Sequence, residues 1–314
     1  MTFGHDGRFL ERAFRAVAEG GALHLLGADN DFAEFLALFR VTELRDGDTA
    51  LMEDGSIYAG ELVEMVRMHA RRRTRHVLIT GMNENWGAFS TYVPHRTVDW
   101  GLWEDHLADA RCTPDEVRQY LDDPATRAVV TPHHTALWHP KIISLPVGVS
   151  TRFMEILKKT SLAELLAARR GEGQDLLINN SGWQHRHAVN QRVIANFSGR
   201  VSNTFGLPVT DFVAQVLRSR FVLCPSGLGW DTSRIWETLT LGSIPIVEYS
   251  EGWHTVLDDL PVLFVTNFEE VTPALLATAY PELLSRCESF DYGKLTRAWW
   301  VSRITTLRDE PLRA

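Results

Sequence analysis

Between Phe221 and Ser250 the chain reads FVLCPSGLGWDTSRIWETLTLGSIPIVEYS, an apolar run, two glycines, a Ser-Arg pair, a glutamate and a second apolar run. Side chains of these types at this spacing suit a phosphorylated ligand. Gly227 and Gly229 let the backbone turn tightly and expose its N–H groups, and a helix starting behind them aims its positive end at the turn. Ser226, Thr232 and Ser233 bring hydroxyls that bond phosphate oxygens without bulk. Arg234 brings a guanidinium that chelates them bidentately, and Glu237 accepts two hydroxyls such as those of a ribose. Ser233 and Glu237 stand four apart on one face of the expected helix with Arg234 beside them, while Ile235 and Leu239 face the core. The pattern fits a nucleoside-diphosphate site, and it equally fits a solvated helix face beside an ordinary strand-to-helix turn.

A second group lies upstream in SGWQHRHAVNQR, where Gly182 opens a loop and Arg186 and Arg192 follow. A cation from this loop would face the phosphates from the side opposite Arg234; Arg192 would otherwise only solvate its helix. Trp183 and Trp230 flank the region, as stacking platforms for a base or sugar or as core.

Such groups need strands to hold them, and apolar runs alternate with amphipathic stretches along the whole chain, the pattern of βα units on a parallel sheet. ALHLLG (22–27) reads as a strand and DFAEFLALF as a helix. In TALMEDGSIYAG, Asp54-Gly55 is a hairpin-type turn; a helix over AGELVEMVRMHARRR then leads to the strand HVLITG (76–81). TPDEVRQYL carries Thr113 as N-cap, Pro114 at the first helical position and Glu116 three residues after the cap, a capping box. RAVVT and KIISLPVGV follow as strands. The helix SLAELLAARR stops at Gly171 and Gly173, which places a domain boundary near residue 172. Beyond it LLINNS, VSNTFG, FVLCPS, IPIVEYS and PVLFVTN read as strands, with helices over HAVNQRVIANF, VTDFVAQVLRS, TSRIWETLTLG and TPALLATAYPELL. The reading is α/β, with Rossmann-like domains over 1–172 and 173–290 and an amphipathic helix in 291–314 that packs back on the body through Trp299, Trp300 and Ile304.

Composition agrees with that organisation. The chain has 314 residues, 45% hydrophobic and 23% charged, an ordinary globular balance with enough length for two cores. The net charge is −8 and the one dense basic run is Arg71-Arg72-Arg73 with Arg75, so nucleic acid is not an expected partner. Three widely spaced cysteines, without a CxxC pair, suit a reducing compartment. The opening MTFGHDGRFLERAFRAVAEGG has no apolar leader core and no run is long enough for a membrane span, so a cytoplasmic location is expected.

The stretch VTDFVAQVLRSRFVLCPSGLGWDTSRIWETLTLGSIPIV resembles the signature of the exostosin-like glycosyltransferases, family 47: a helix, S-x-F-x-L-C-P-x-G, then S-R, E-x-x-x-x-G and I-P-V. Ser219, Phe221, Leu223, Cys224, Pro225, Gly227, Ser233, Arg234, Glu237, Gly242, Ile244 and Pro245 stand in those places. Fainter likenesses run back through DLLINNSGWQHRHAVNQRVIANF and KIISLPVGV to RHVLITGMNENWG, where Arg75 replaces the family's usual acidic residue. The resemblance implies a GT-B fold, two Rossmann-like domains facing across a cleft, with 1–172 on the acceptor side and 173–290 holding the nucleotide-sugar. It implies transfer of a hexose or pentose from a UDP-sugar, with inversion, to a hydroxyl of a glycan or small-molecule acceptor, and no further cofactor. A nucleotide-sugar epimerase or hydrolase of the same architecture, or a catalytically inactive nucleotide-binding protein, are the alternative readings.

In an inverting transfer the base lies across the cleft from the leaving nucleotide, on loops at the carboxyl ends of the first domain's strands. Glu84, in the loop after HVLITG, is the first candidate, and His133 or His134, after RAVVT, the second. Asp46-Gly47-Asp48 has the spacing of a metal-binding DxD but follows the polar TELR, and His133, His134 and His139 share their spacing with no carboxylate or cysteine. Neither set is expected to hold a metal.

Overall fold

The computed structural model describes residues 6–25, 35, 38–39, 42–43, 56–59, 65–67, 75–79, 113–131, 139–170, 173–180, 184–197, 201–204, 206–227 and 230–309. Two parallel five-stranded sheets carry it. The first is built in chain order from β1 (Thr42–Glu43), β2 (Ser56–Ala59), β3 (His76–Ile79), β4 (Thr126–Thr131) and β5 (Ile142–Ser144). β2 pairs in parallel with both neighbours, so the hairpin expected at Asp54-Gly55, itself outside the described residues, does not join described strands of this sheet. The start of ALHLLG does not join it either: Ala22 and His24 make isolated antiparallel bridges to Thr296 and Gly148.

The second sheet contains β6 (Gln174–Asn179), β7 (Ser202–Thr204), β8 (Ser219–Leu223), β9 (Ile244–Glu248) and β10 (Leu263–Val265) in the spatial order β10-β9-β8-β6-β7. Leu176, Leu177, Ile178, Phe221, Val222, Leu223, Ile244 and Ile246 are buried, as continuous apolar runs in a sheet covered on both faces must be. Counted from β6 the order is 2-1-3-4-5, so the chain leaves β6 toward one edge, returns, and continues toward the other. The switch lies between β6 and β8, and in such sheets the ligand crevice opens outside the carboxyl ends of the strands at that point.

The helices follow from local sequence. α1 (Arg8–Gly20) precedes the first sheet, and α2 (Pro114–Asp122) begins on the Thr113–Glu116 capping box, present in both directions. α3 (Thr151–Leu157) and α4 (Leu162–Arg169) link the sheets, α4 starting on a second capping box at Ser161 and Glu164. α5 (Gln184–Asn196), α6 (Val209–Leu217), α7 (Ser233–Thr240), α8 (Glu251–Leu257) and α9 (Pro273–Ser285) belong to the second half, and α10 (Arg297–Asp309) ends the described chain. α10 contacts β3 and β4, so it returns to the first sheet, whereas α1 contacts α7 and the turn Tyr292–Leu295. Trp300 and Ile304 of α10 are buried, as their spacing predicts. Arg169, 2% exposed, donates from Nη1 to Leu241 O at 3.1 Å, from Nη2 to Gly242 O at 2.8 Å and from Nε to Asp6 O at 3.2 Å, tying α4 to the end of α7 and to the N-terminus. Among the described residues no helix is long and apolar enough to cross a membrane.

Candidate functional site

β8 ends at Leu223 and Cys224, whose amide donates to Ile246 O at 2.9 Å and whose thiol burial pushes up to about 12. Cys224 is therefore an inert part of the core. Pro225 stops the strand, and Ser226 and Gly227 turn over the top of the sheet toward α7. Beside this turn stands the end of β6, where Asn179 and Asn180 are each 7% exposed. Strand order alone thus puts the glycine turn and the two asparagines on the rim of the switch-point crevice.

Two guanidinium groups reach that rim. Arg186, in the first turn of α5, donates from Nε to the Ser226 carbonyl at 2.7 Å, and its Nη2 would lie 2.6 Å from a Cβ on Gly227. A hydrogen at 227 is what lets the arginine lie against the turn. Arg234, in the first turn of α7, places its guanidinium carbon 3.8 Å from the centre of the Phe212 ring and donates from Nη1 to Asn179 Oδ1 at 3.1 Å. Asn179 Nδ2 donates to Thr204 Oγ1 at 2.9 Å, and that hydroxyl donates to Gln215 Oε1 at 3.1 Å. A ring beneath and an ordered amide chain behind fix Arg234 in one pose while the rest of its donor fork makes no hydrogen bond among the described residues. Burial holds its pKa below the ordinary value, partly countered by Glu237.

α7 starts at the same rim. Its N-cap, Thr232, is extended and makes no side-chain cap, and Thr232 Oγ1 is buried without a hydrogen-bond partner among the described residues. Of the first-turn amides of this eight-residue helix, Ile235 N donates to Thr232 O at 3.0 Å, and those of Ser233 and Arg234 make no hydrogen bond among the described residues. Ser226, Gly227, Thr232, Ser233, Arg234 and Arg186 are thus gathered at one crevice; Gly229 and Trp183 lie outside the described residues. Arg192 is not gathered there. It lies six residues beyond Arg186, about 9 Å along the helix, and pairs with Glu269 at 3.0 Å with both side chains largely exposed.

Glu237 is 6% exposed, and its Oε1 accepts from Ser150 Oγ at 2.5 Å and from Ser150 N at 3.4 Å. The expected pair of ribose contacts therefore has one oxygen already taken by the segment after β5. Asp231 makes a parallel contact: Oδ2 accepts from Val147 N and Oδ1 from Trp236 Nε1, both at 2.7 Å. Burial raises the Asp231 pKa to about 7 against these donors. The segment 147–150 is itself held by Leu25 N to Val147 O at 3.0 Å and Val149 N to Leu23 O at 2.9 Å. Gly148 sits at φ 71°, where an added Cβ would be 2.2 Å from Leu23 O, so only glycine permits this pairing. His24, 4% exposed, supports it with Nδ1 at 2.5 Å from Val149 O and Nε2 at 3.1 Å from Thr151 Oγ1. A carbonyl only accepts, so Nδ1 carries a proton.

Trp230, 7% exposed, stacks at 5.5 Å and 9° on the fully buried Trp253 and is committed to that stack. Glu84, His133 and His134, the candidates for the base, and Asp46 and Asp48 lie outside the described residues. His139 Nε2 is 3.2 Å from Asp122 Oδ1 and its Nδ1 accepts from Lys141 N at 3.2 Å, a surface pairing at the start of β5. Among the described residues no cluster of metal-ligating side chains occurs.

Reading the sequence by motif missed Asn179, Phe212, Ser150 and Asp231 as parts of the site. Asn179 carried a signal, its place at the carboxyl end of the domain's first strand; Phe212 and Ser150 carried none, because they arrive from other elements.

No family profile matches the chain, and no curated protein matches it. Among solved structures the chain is similar to OtsA in its apo form, with 10% identity over 83% of this chain and 74% of that one and a TM-score of 0.44. It is also similar to AviGT4, a glycosyltransferase involved in avilamycin A biosynthesis (10% identity, 79% of this chain and 89% of that one, TM-score 0.32), and to an alpha1,3-fucosyltransferase (12% identity, 79% and 85%, TM-score 0.34).

Proposed function

We propose that the protein is a glycosyltransferase of GT-B type that holds a UDP-sugar at the β6/β8 crevice and transfers its sugar, with inversion, to an acceptor hydroxyl. The observation that carries this reading is the placement of Arg186 on the glycine turn after β8 and of Arg234 on the end of β6, the two strands that flank the topological switch point. Two fixed cations, the Ser233 and Arg234 amides at the start of α7 and the Thr232 hydroxyl, which has no partner among the described residues, form a cradle for a diphosphate. In a sugar transfer the same groups stabilise the charge that builds on the departing diphosphate, where fixed donors in a dry crevice act most strongly. Glu237 Oε2, which makes no hydrogen bond among the described residues, takes a ribose hydroxyl. The acceptor approaches from the first sheet, whose segment 147–150 already touches Asp231 and Glu237; Glu84, or else His133 or His134, takes its proton.

Because arginines and a helix terminus carry the phosphate charge, turnover is expected without a divalent ion. The test is a panel of UDP-, GDP- and TDP-sugars with candidate acceptors, with and without EDTA, monitored for free nucleotide and for the anomeric configuration of the product. UDP release that depends on acceptor and persists in EDTA is the expected result. Release of UDP with an altered free sugar and no acceptor would identify an epimerase or hydrolase instead, and loss of activity in EDTA restored by manganese would return the metal role to Asp46 and Asp48.

A further inference from the structure

A second cavity of about 420 Å³ lies away from the crevice, between the amino ends of β4 and β5, α8 and the terminal helix α10. Its cations are Arg127, Lys141, Lys294 and Arg303, and no carboxylate is part of its lining, in a chain whose net charge is −8. Lys294, 7% exposed, is committed to Asp259 and donates to Val256 O at 2.9 Å, and Lys141 donates to Asp123 O at 2.7 Å. Arg127 and Arg303 make no hydrogen bond or ion pair among the described residues. Burial lowers the pKa of Lys141, with Asp123 and Asp122 opposing the shift and Arg127 adding a little to it. The floor is apolar: Ile142, Ile143, Val256 and Leu307 surround the edge-on pair Trp299 and Trp300, whose rings are 4.8 Å apart.

An apolar floor with a few convergent charges at the mouth, in a volume of this size, is the makeup of a small-molecule site. Lys294 and Lys141 are balanced by Asp259 and by Asp122 and Asp123, which leaves Arg127 and Arg303 as the cations without an acidic partner among the described residues, and arginine forks bind an anion bidentately. We propose that this cavity binds an organic anion with a flat apolar body, its carboxylate or phosphate held by Arg127 and Arg303 and its body lying on Trp299 and Trp300. Residues of α8 and of the first sheet both line it, so an occupant bridges the two halves.

The probe is 8-anilinonaphthalene-1-sulfonate, titrated against the full chain by fluorescence, beside its uncharged relative N-phenyl-1-naphthylamine. One saturable site is expected, weakened about tenfold by Arg127→Gln with Arg303→Gln, unaffected by UDP, with binding of the uncharged compound nearly unchanged. Arg303→Gln alone, on the exposed face of α10 and harmless to folding, is expected to cost several-fold, and added salt to weaken the parent in the same direction. Absence of saturable binding, equal affinity in parent and variants, or displacement of the probe by UDP would each overturn the assignment.

Discussion

Arg234 is the residue on which the crevice most depends, because its pose is fixed from two sides by groups that are themselves held in place. Phe212 lies under its guanidinium and Asn179 holds one edge, so the fork is ordered before any phosphate arrives. Arg234→Ala is expected to weaken UDP by roughly 2 kcal/mol, about 30-fold in Kd, in a protein that still folds; calorimetry showing parent-like affinity would remove it from the site. Asp231 makes a different forecast. Its carboxyl titrates near pH 3.8 when unfolded and near 7 when folded, so between those values the native state holds a proton that the unfolded state has lost. The stability from this raised pKa is fully present below pH 3.8 and is lost as pH rises through about 7. The loss amounts to something on the order of 4 kcal/mol. Denaturant unfolding at a series of pH values is expected to show this decline in the parent and a flatter profile in Asp231→Asn. Equal slopes in both would place the titration elsewhere.

Arg169 shows how an element end is secured. α7 and the turn after it leave carbonyls at Leu241 and Gly242 without helical partners, and a guanidinium from α4, not water, meets them. Arg169→Ala strands three acceptors, two of them buried against the side chain, and is expected to cost about 3 kcal/mol. Arg169→Lys is expected to recover little, since an ammonium does not span two carbonyls in one plane. A lysine variant with the parent's denaturation midpoint would show that charge alone matters there. Capping boxes at Thr113 and Ser161 were equally local; the first was legible at sight because Thr, Pro and Glu sit in sequence order. α3 and α8 were not, because seven-residue helices leave too few turns for a periodic signal.

At the scale of the molecule the two sheets meet through short polar contacts: Ser150 with Glu237, Val147 with Asp231, and Ser144 Oγ with Gly252 O at 3.1 Å. The first of these contacts uses Glu237, the carboxylate assigned to the ligand, so packing of the halves and ligand binding compete for it. Ser150→Ala releases Glu237 Oε1. It is expected to lower stability by about 1 kcal/mol and, if Glu237 holds a ribose, to tighten uridine and UDP several-fold. Unchanged nucleoside affinity in a folded Ser150→Ala protein would take the ribose away from Glu237 while leaving the arginine cradle untouched. The chain ends cross as well, α1 on α7 and α10 on β3 and β4, so neither sheet is covered by its own segment of chain alone.

The sequence by itself determined the alternation of strands and helices after residue 173 apart from α8, the buried runs of β6, β8 and β9, and the helix that starts at Ser233. Each depends on residues near one another in the chain, through hydrophobic period, caps and glycine placement. Only the tertiary structure decided that β6 lies beside β8 and not beside β9, which makes a crevice of two separate chain segments. The same decision brought Arg186 to Gly227 and sent Arg192 to Glu269, although both sit on one helix. Glu237 shows the difference most plainly: its type and spacing are local facts, but its bond to Ser150 joins residues 87 apart, and no pattern along the chain encodes a contact made by packing one sheet against another.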